Sequence, residues 1–155
     1  MLKKIIFFQI NFYLKENFIL FKPKCARYWP NSSENEDPSG PNSILYGNIN
    51  VRLLKTTNIC EDYLLREFAI NWKGKPANEE RKCYQFQYLA WSDHGVPENA
   101  QNTLRFIDDF NRIYDEINLN SNNQSNITNK KPITVHCSAG IGRTGAIIVI
   151  DTIID

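Results

Sequence analysis

The stretch Val135 to Gly145 reads VHCSAGIGRTG, preceded by Ile133 and Thr134 and followed by the apolar run AIIVIDTII. ITVH (133–136) reads as a short buried strand, the small residues after it as a loop, and Arg143 to Ile154 as a nearly all-apolar helix. This order puts Cys137 at the N-terminal side of a helix, where unpaired backbone N–H groups and the helix dipole favour negative charge. A thiolate and a phosphoryl group are both anions. One feature therefore does two things: it depresses the Cys137 pKa and it binds phosphoryl oxygens.

The residue types around Cys137 suit that chemistry. Gly140, Gly142 and Gly145 allow a tight turn and a close approach of backbone to an anion. The planar fork of Arg143 can hold two phosphoryl oxygens and stabilise transition-state charge. Thr144 can donate its hydroxyl to the sulfur. A Cys-x5-Arg spacing alone is a weak signal, and an inert buried cysteine in a glycine-rich loop is the bland alternative. The strand before it, the apolar helix after it and the preceding His136 raise its specificity.

Upstream lies Trp91-Ser-Asp-His-Gly-Val-Pro97. Phenolate leaves reluctantly near neutral pH, so an aryl phosphate needs a proton on its bridging oxygen. A carboxylic acid on a mobile flap can supply it. Asp93, beside Gly95 and anchored by Trp91, has the chemistry for that role. Alone, Asp-His-Gly is an ordinary turn; its pairing with the Cys137 loop favours the functional reading. His94 reads as shaping the flap. For His136, tuning of the thiolate and a satisfied core histidine remain equal alternatives.

Working outward, Asn48 to Leu54 alternates polar and apolar residues, Tyr63 to Trp72 (YLLREFAINW) reads as a second strand, and Cys83 to Ala90 as a third with Tyr84, Phe86 and Tyr88 on one face. Short polar connections predict an antiparallel meander. Leu104, Ile107, Phe110, Ile113, Tyr114 and Ile117 recur at helical spacing. Residues 31–43 and the Asn-rich 118–131 read as loops, the second long and flexible, and residues 1–24 as one or two strands.

Bulk properties narrow the classes. A chain of 155 residues suits one domain, and a formal charge of +1 offers no global field for nucleic acid or an anionic membrane. The four cysteines, Cys25, Cys60, Cys83 and Cys137, form no CxxC pair, and with only two histidines the composition argues against a zinc cluster. Unpaired cysteines fit a reducing cytosol, so a cytoplasmic location is expected, and the three Asn-x-Ser/Thr sequons read as chance. The start MLKKIIFF has the flavour of a signal peptide, but Gln9, Asn11, Lys15 and Glu16 interrupt the apolar run and no cleavage site follows. The run is also too short and polar to span a membrane.

KCARYWP (Lys24–Pro30), YLLREF (Tyr63–Phe68), YQFQYLAWSDHGVP (Tyr84–Pro97) and VHCSAGIGRTGAIIVIDTIID (Val135–Asp155) together resemble the classical protein tyrosine phosphatase family. The last segment is most similar to the SH2-domain-containing, corkscrew-like non-receptor branch, although no SH2 sequence is present. The resemblance implies an α/β fold with a central twisted mixed β-sheet flanked by helices, incomplete at both ends. It divides the chain into a divergent segment, 1–23, and a partial catalytic domain, 24–155. It also implies a phosphotyrosine-protein phosphatase in signal transduction, acting through a cysteinyl-phosphate without metal or organic cofactor. Cys137 would be nucleophile, Arg143 clamp, Asp93 general acid and Thr144 leaving-group assistant. Ser138, Ala139, Gly140, Ile141 and Gly142, with Arg143 and Asp93, would bind substrate, and Trp91 would hinge the acid loop. Lys24 matches a family lysine near the acid flap. Phosphotyrosine-containing proteins are the implied partners.

The pattern also departs from the family. Ser92 replaces a usual Pro, and Ile19 stands where a glutamate orients the clamp arginine. The upstream phosphotyrosine-recognition loop and the downstream glutamine loop have no counterpart here. These departures predict exposed apolar faces, above all on the Ala146–Ile154 helix, and they motivate an alternative: a catalytically weak phosphotyrosine-binding module. A dual-specificity phosphatase, which shares Cys-x5-Arg, is disfavoured by KCARYWP and WSDHGVP.

Overall fold

The computed structural model describes residues 28–30, 42–76, 79–91, 95–97, 99–119 and 132–154, together with the backbone of 5–10. Six strands and two helices follow in the order β1 (Ile5–Ile10), β2 (Ser43–Tyr46), β3 (Ile49–Asn58), β4 (Tyr63–Trp72), β5 (Arg81–Tyr88), α1 (Ala100–Leu119), β6 (Ile133–His136) and α2 (Gly142–Ile154). The strands form one mixed sheet in the order β2-β3-β4-β5-β1-β6. The antiparallel meander expected of residues 48–54, 63–72 and 83–90 is present as β3, β4 and β5, and β2 adds a further strand at its edge. β1 then lies parallel to both β5 and β6, so part of the N-terminal segment sits within the sheet.

Strand periodicity explains both the matches and the misses. β3 runs past Leu54, where the sequence alternation stops, because the register to β4 shifts between Leu53 and Lys55. A bulge adds one residue to a strand and inverts the pattern beyond it. β6 is not the buried strand that its apolar letters predict: Ile133 and Thr134 are exposed, and Val135 and His136 half-buried. It ends the sheet, pairing with β1 alone among the described residues.

The two faces of the sheet differ in chemistry. Tyr63, Tyr84, Phe86 and Tyr88 face α1 and pack with Phe106, Ile107, Phe110, Tyr114 and Ile117. The sequence stripe needs one correction. Leu104 is exposed, and Thr103 and Asn118 take buried places on α1 instead. Asn99 caps this helix by accepting from the Gln101 amide at 2.9 Å. Polar ties then fix its orientation: Tyr63 donates to Asp109, and Asn102 Nδ2 donates to Asp62 Oδ2 at 2.7 Å.

On the opposite face, Leu53, Phe68 and Cys83 pack with Trp29. Arg66 sits among them, donating to Gln85 Oε1 at 3.0 Å and Gln87 Oε1 at 2.5 Å, with its guanidinium 5.1 Å from the Trp29 ring centre. Burying a cation is tolerable only when such acceptors and an aromatic face replace water. This network holds Trp29, and with it Tyr28, against the sheet.

The exposed apolar face expected on the Ala146–Ile154 helix is present in α2, against what its apolar composition alone would favour. Only Arg143, Thr144 and Ile147 are buried, whereas Val149 and Ile153 are 57% and 78% exposed. Each such side chain forgoes about 1.5–3 kcal/mol that burial would contribute. Asn111 Nδ2, donating to Asp151 Oδ1 at 2.9 Å, ties α2 to α1.

Candidate active site

β6 ends at His136, and α2 starts at Gly142, so residues 137–141 form the connecting loop. Gly140 turns this loop with φ of 74°, a left-handed conformation that side chains with a Cβ rarely adopt. Gly142 and Gly145 take no such conformation, and a Cβ at either would meet no protein atom within 4 Å. The local backbone thus requires one of the three glycines.

Cys137 is 6% exposed. Burial by itself would raise its pKa, yet the thiol is lowered from 9.0 to about 7. The Thr144 hydroxyl and the backbone N–H groups of Thr144, Gly140 and Ile141 donate to the sulfur and outweigh the desolvation. The Thr144 hydroxyl is enclosed beside the sulfur and makes no other hydrogen bond among the described residues. At neutral pH about half of such a thiol is thiolate, the nucleophilic form. Cys83 makes the contrast: burial pushes its thiol up to about 12, with no compensating donor among the described residues.

Arg143, in the first turn of α2, folds back over the loop. Its side chain is buried, with Nη2 donating to Ser138 Oγ at 3.2 Å and Nη1 to the Trp91 carbonyl at 3.3 Å. The clamp, the loop and the start of the Trp91–Pro97 segment are therefore brought together. Trp91 is buried, and its indole N–H donates to the Gly95 carbonyl at 3.2 Å, closing that segment on itself. Ser92, Asp93, His94, Lys24 and Ile19 lie outside the described residues. Ile141 is exposed at the lip of the loop, as is Val96 of the acid segment.

His136 has both ring nitrogens engaged. Nδ1 lies 3.1 Å from the Cys137 carbonyl oxygen and Nε2 lies 2.5 Å from Tyr28 Oη. A carbonyl can only accept, so Nδ1 carries the proton, and in the neutral ring Nε2 accepts from the tyrosine. The histidine therefore acts on the backbone of Cys137, whose sulfur takes its hydrogen bonds elsewhere. Tyr28 lies within KCARYWP, whose letters assign it no role, and the letters around Arg66, Gln85 and Gln87 assign them none. Their one signal is polar letters at inward positions of apolar strands.

A cavity of about 280 Å³ lies elsewhere, between α1, β6 and α2, lined chiefly by Phe110, Val135, Ile147 and Ile148. Asp151 and Thr152 add polar groups to its wall, and it does not include Cys137.

The family profile described as "Protein-tyrosine phosphatase" matches residues 10–155. The chain belongs to the protein-tyrosine phosphatase family. Among curated relatives, it is 39% identical over 135 residues to tyrosine-protein phosphatase corkscrew of Drosophila virilis, covering 86% of this chain and 15% of that protein. It is 36% identical over 132 residues to tyrosine-protein phosphatase 1 of Caenorhabditis elegans, covering 83% of this chain and 10% of that protein. Receptor-type tyrosine-protein phosphatase U of Gallus gallus is 37% identical over 132 residues, with coverage of 85% and 8%. The chain thus spans about one seventh or less of these relatives' lengths. The likeness to corkscrew supports the non-receptor branch of this phosphatase family, although a receptor-type protein scores nearly as high. No helix among the described residues is long and apolar enough to cross a membrane.

Proposed function

We propose that this chain carries the catalytic cradle of a phosphotyrosine-protein phosphatase acting in cytoplasmic signalling, and that residues 24–155 hold its chemistry on a sheet that β1 completes. The observation that carries the reading is the lowered thiol of Cys137, ringed by amide N–H groups at a helix start, beside the buried Arg143.

In the first step the Cys137 thiolate attacks phosphorus. An S–P bond forms, the P–O bond to the tyrosine ring breaks, and Asp93 gives its proton to the departing oxygen. The amides of Ser138, Ala139, Gly140, Ile141 and Gly142 and the Arg143 fork bind the phosphoryl oxygens, so charge is stabilised by donors already in place. In the second step water attacks phosphorus and gives its proton to the Asp93 carboxylate. The S–P bond breaks, and the Thr144 hydroxyl supports the returning thiolate. Trp91 anchors the loop that carries Asp93.

Hydrolysis of an aryl phosphate by the full chain tests this. Cys137→Ser is expected to abolish turnover, and Asp93→Ala to reduce it by about 10²-fold or more while phosphate binding persists. Unchanged rates from Cys137→Ser would overturn the assignment. Measurable affinity for a phosphotyrosine peptide without wild-type turnover would select the binding-module alternative.

A further inference from the structure

Asp93 lies on the stretch between the end of β5 at Tyr88 and the start of α1 at Ala100, and both ends of that stretch meet at one residue. At the near end the Leu89 N–H donates to the Asp62 carbonyl at 2.6 Å. At the far end Asn102 Nδ2, in the first turn of α1, donates to Asp62 Oδ2 at 2.7 Å. Asp62 itself stands in the β3–β4 turn, just ahead of Tyr63. A neighbouring pair repeats the join, since Thr103 Oγ1 and Tyr88 Oη share a hydrogen bond at 3.4 Å. Nothing in the phosphoryl-transfer steps above uses Asp62 or Asn102.

The two contacts of Asp62 differ in kind. The bond to Leu89 continues the β4–β5 ladder past the Tyr63–Tyr88 pair, so it belongs to the backbone and survives a change of side chain. The bond to Asn102 is made by the carboxylate alone, and an ionised acceptor makes it stronger than a contact between neutral groups. It fixes where α1 begins relative to where β5 ends. That separation is the span the acid segment must cover, so the segment swings from two roots held at a set distance. Within the segment the Trp91 indole closes on the Gly95 carbonyl, and Arg143 donates to the Trp91 carbonyl. Those contacts hold the root beside the phosphate loop, and Asp62 holds the other root against it. Proton transfer needs Asp93 within hydrogen-bond reach of the bridging oxygen, and a displacement of about 1 Å costs on the order of 10²-fold in rate.

We infer that Asp62 is a positioning residue for the general-acid step, its carboxylate holding Asn102 so that the two roots of the Asp93 segment keep a fixed span. The inference rests on the phosphatase reading and names a determinant of its proton transfer, separate from anion binding.

The test compares two substrates that differ in their need for a proton. Para-nitrophenolate leaves readily without one, and unsubstituted phenolate does not. In the full chain, Asp62→Ala keeps the backbone bond to Leu89. It is expected to lower kcat/KM about tenfold on phenyl phosphate but only about twofold on para-nitrophenyl phosphate. Inorganic tungstate affinity, measured by calorimetry, should stay within about twofold, because the Cys137 loop is untouched. Asn102→Ala should match Asp62→Ala. Exchanging the partners, Asp62→Asn with Asn102→Asp, lets position 62 donate and position 102 accept, and should restore most of the lost rate. On an Asp93→Ala background, Asp62→Ala should cost nothing further.

Equal losses on both substrates would show a general loosening of the fold and overturn the inference. An unchanged rate on phenyl phosphate in Asp62→Ala, or a partner exchange that rescues nothing, also overturns it and leaves the phosphatase reading intact. A wild-type chain that hydrolyses neither substrate sinks both.

Discussion

The Arg143 guanidinium donates to the Trp91 carbonyl across 52 residues of sequence, joining the phosphate loop to the root of the acid segment. The same side chain reaches Ser138 Oγ, so one buried cation organises both halves of the site. Few single substitutions should be less forgiving.

Arg143→Lys is expected to lower kcat/KM by about 10²–10³-fold, because an ammonium cannot hold two phosphoryl oxygens and the Trp91 carbonyl from one plane. Steady-state kinetics on an aryl phosphate measure this. A loss below threefold would show that positive charge alone suffices.

Thr144→Val keeps the shape of the side chain and removes the hydroxyl that donates to the sulfur. The Cys137 thiol should move up toward its ordinary value, displacing the pH profile of alkylation to higher pH. Turnover near pH 7 should fall several-fold through a smaller thiolate fraction and an unassisted leaving sulfur. An unmoved alkylation profile would mean that the three amides do all the lowering.

Thiol ionisation also links to folding. The folded Cys137 titrates at about 7 against an ordinary 9.0, so between these values the unfolded chain holds more protons. Stability contributed by this group is complete above about pH 9 and is lost as pH falls through 7. Relative to Cys137→Ser, the wild-type chain should therefore gain on the order of 2 to 3 kcal/mol from pH 6.5 to 9.5. Urea denaturation of both proteins at several pH values gives the difference, and parallel curves would contradict the lowered thiol.

The exposed apolar side of α2 predicts self-association. Val149→Lys with Ile153→Lys removes two exposed branched side chains without touching the buried Arg143, Thr144 or Ile147. Sedimentation at rising concentration should show less association in the double variant, with an unchanged thermal midpoint. A large fall in that midpoint would mean the face is covered in the native protein.

Arg66→Met breaks the face opposite α1. It deprives the buried Gln85 and Gln87 of a shared donor and removes the cation under Trp29. A loss of about 2–4 kcal/mol in denaturant unfolding is expected. A neutral result would show that the two amides find other donors.

Much of this protein is legible in its sequence. Local alternation marked the first half of β3 and the aromatic face of β5 because an antiparallel strand carries its burial pattern in its own letters. The helical spacing marked α1 in the same way, and the strand-loop-helix order around Cys137 placed an anion site at a helix start, since unpaired amides are a property of any helix end. Other features depended on residues far apart in the chain. Which strand lies at the edge decided that apolar β6 is half-exposed, and the bulge at Leu54 hid the second half of β3. Arg143 over Trp91, Arg66 between two glutamines and Tyr28 on His136 pair residues separated by 19 to 108 positions. A chain can encode such partners without displaying them, because a hydrogen bond is fixed by where two groups meet in space, and only the folded sheet brings them there.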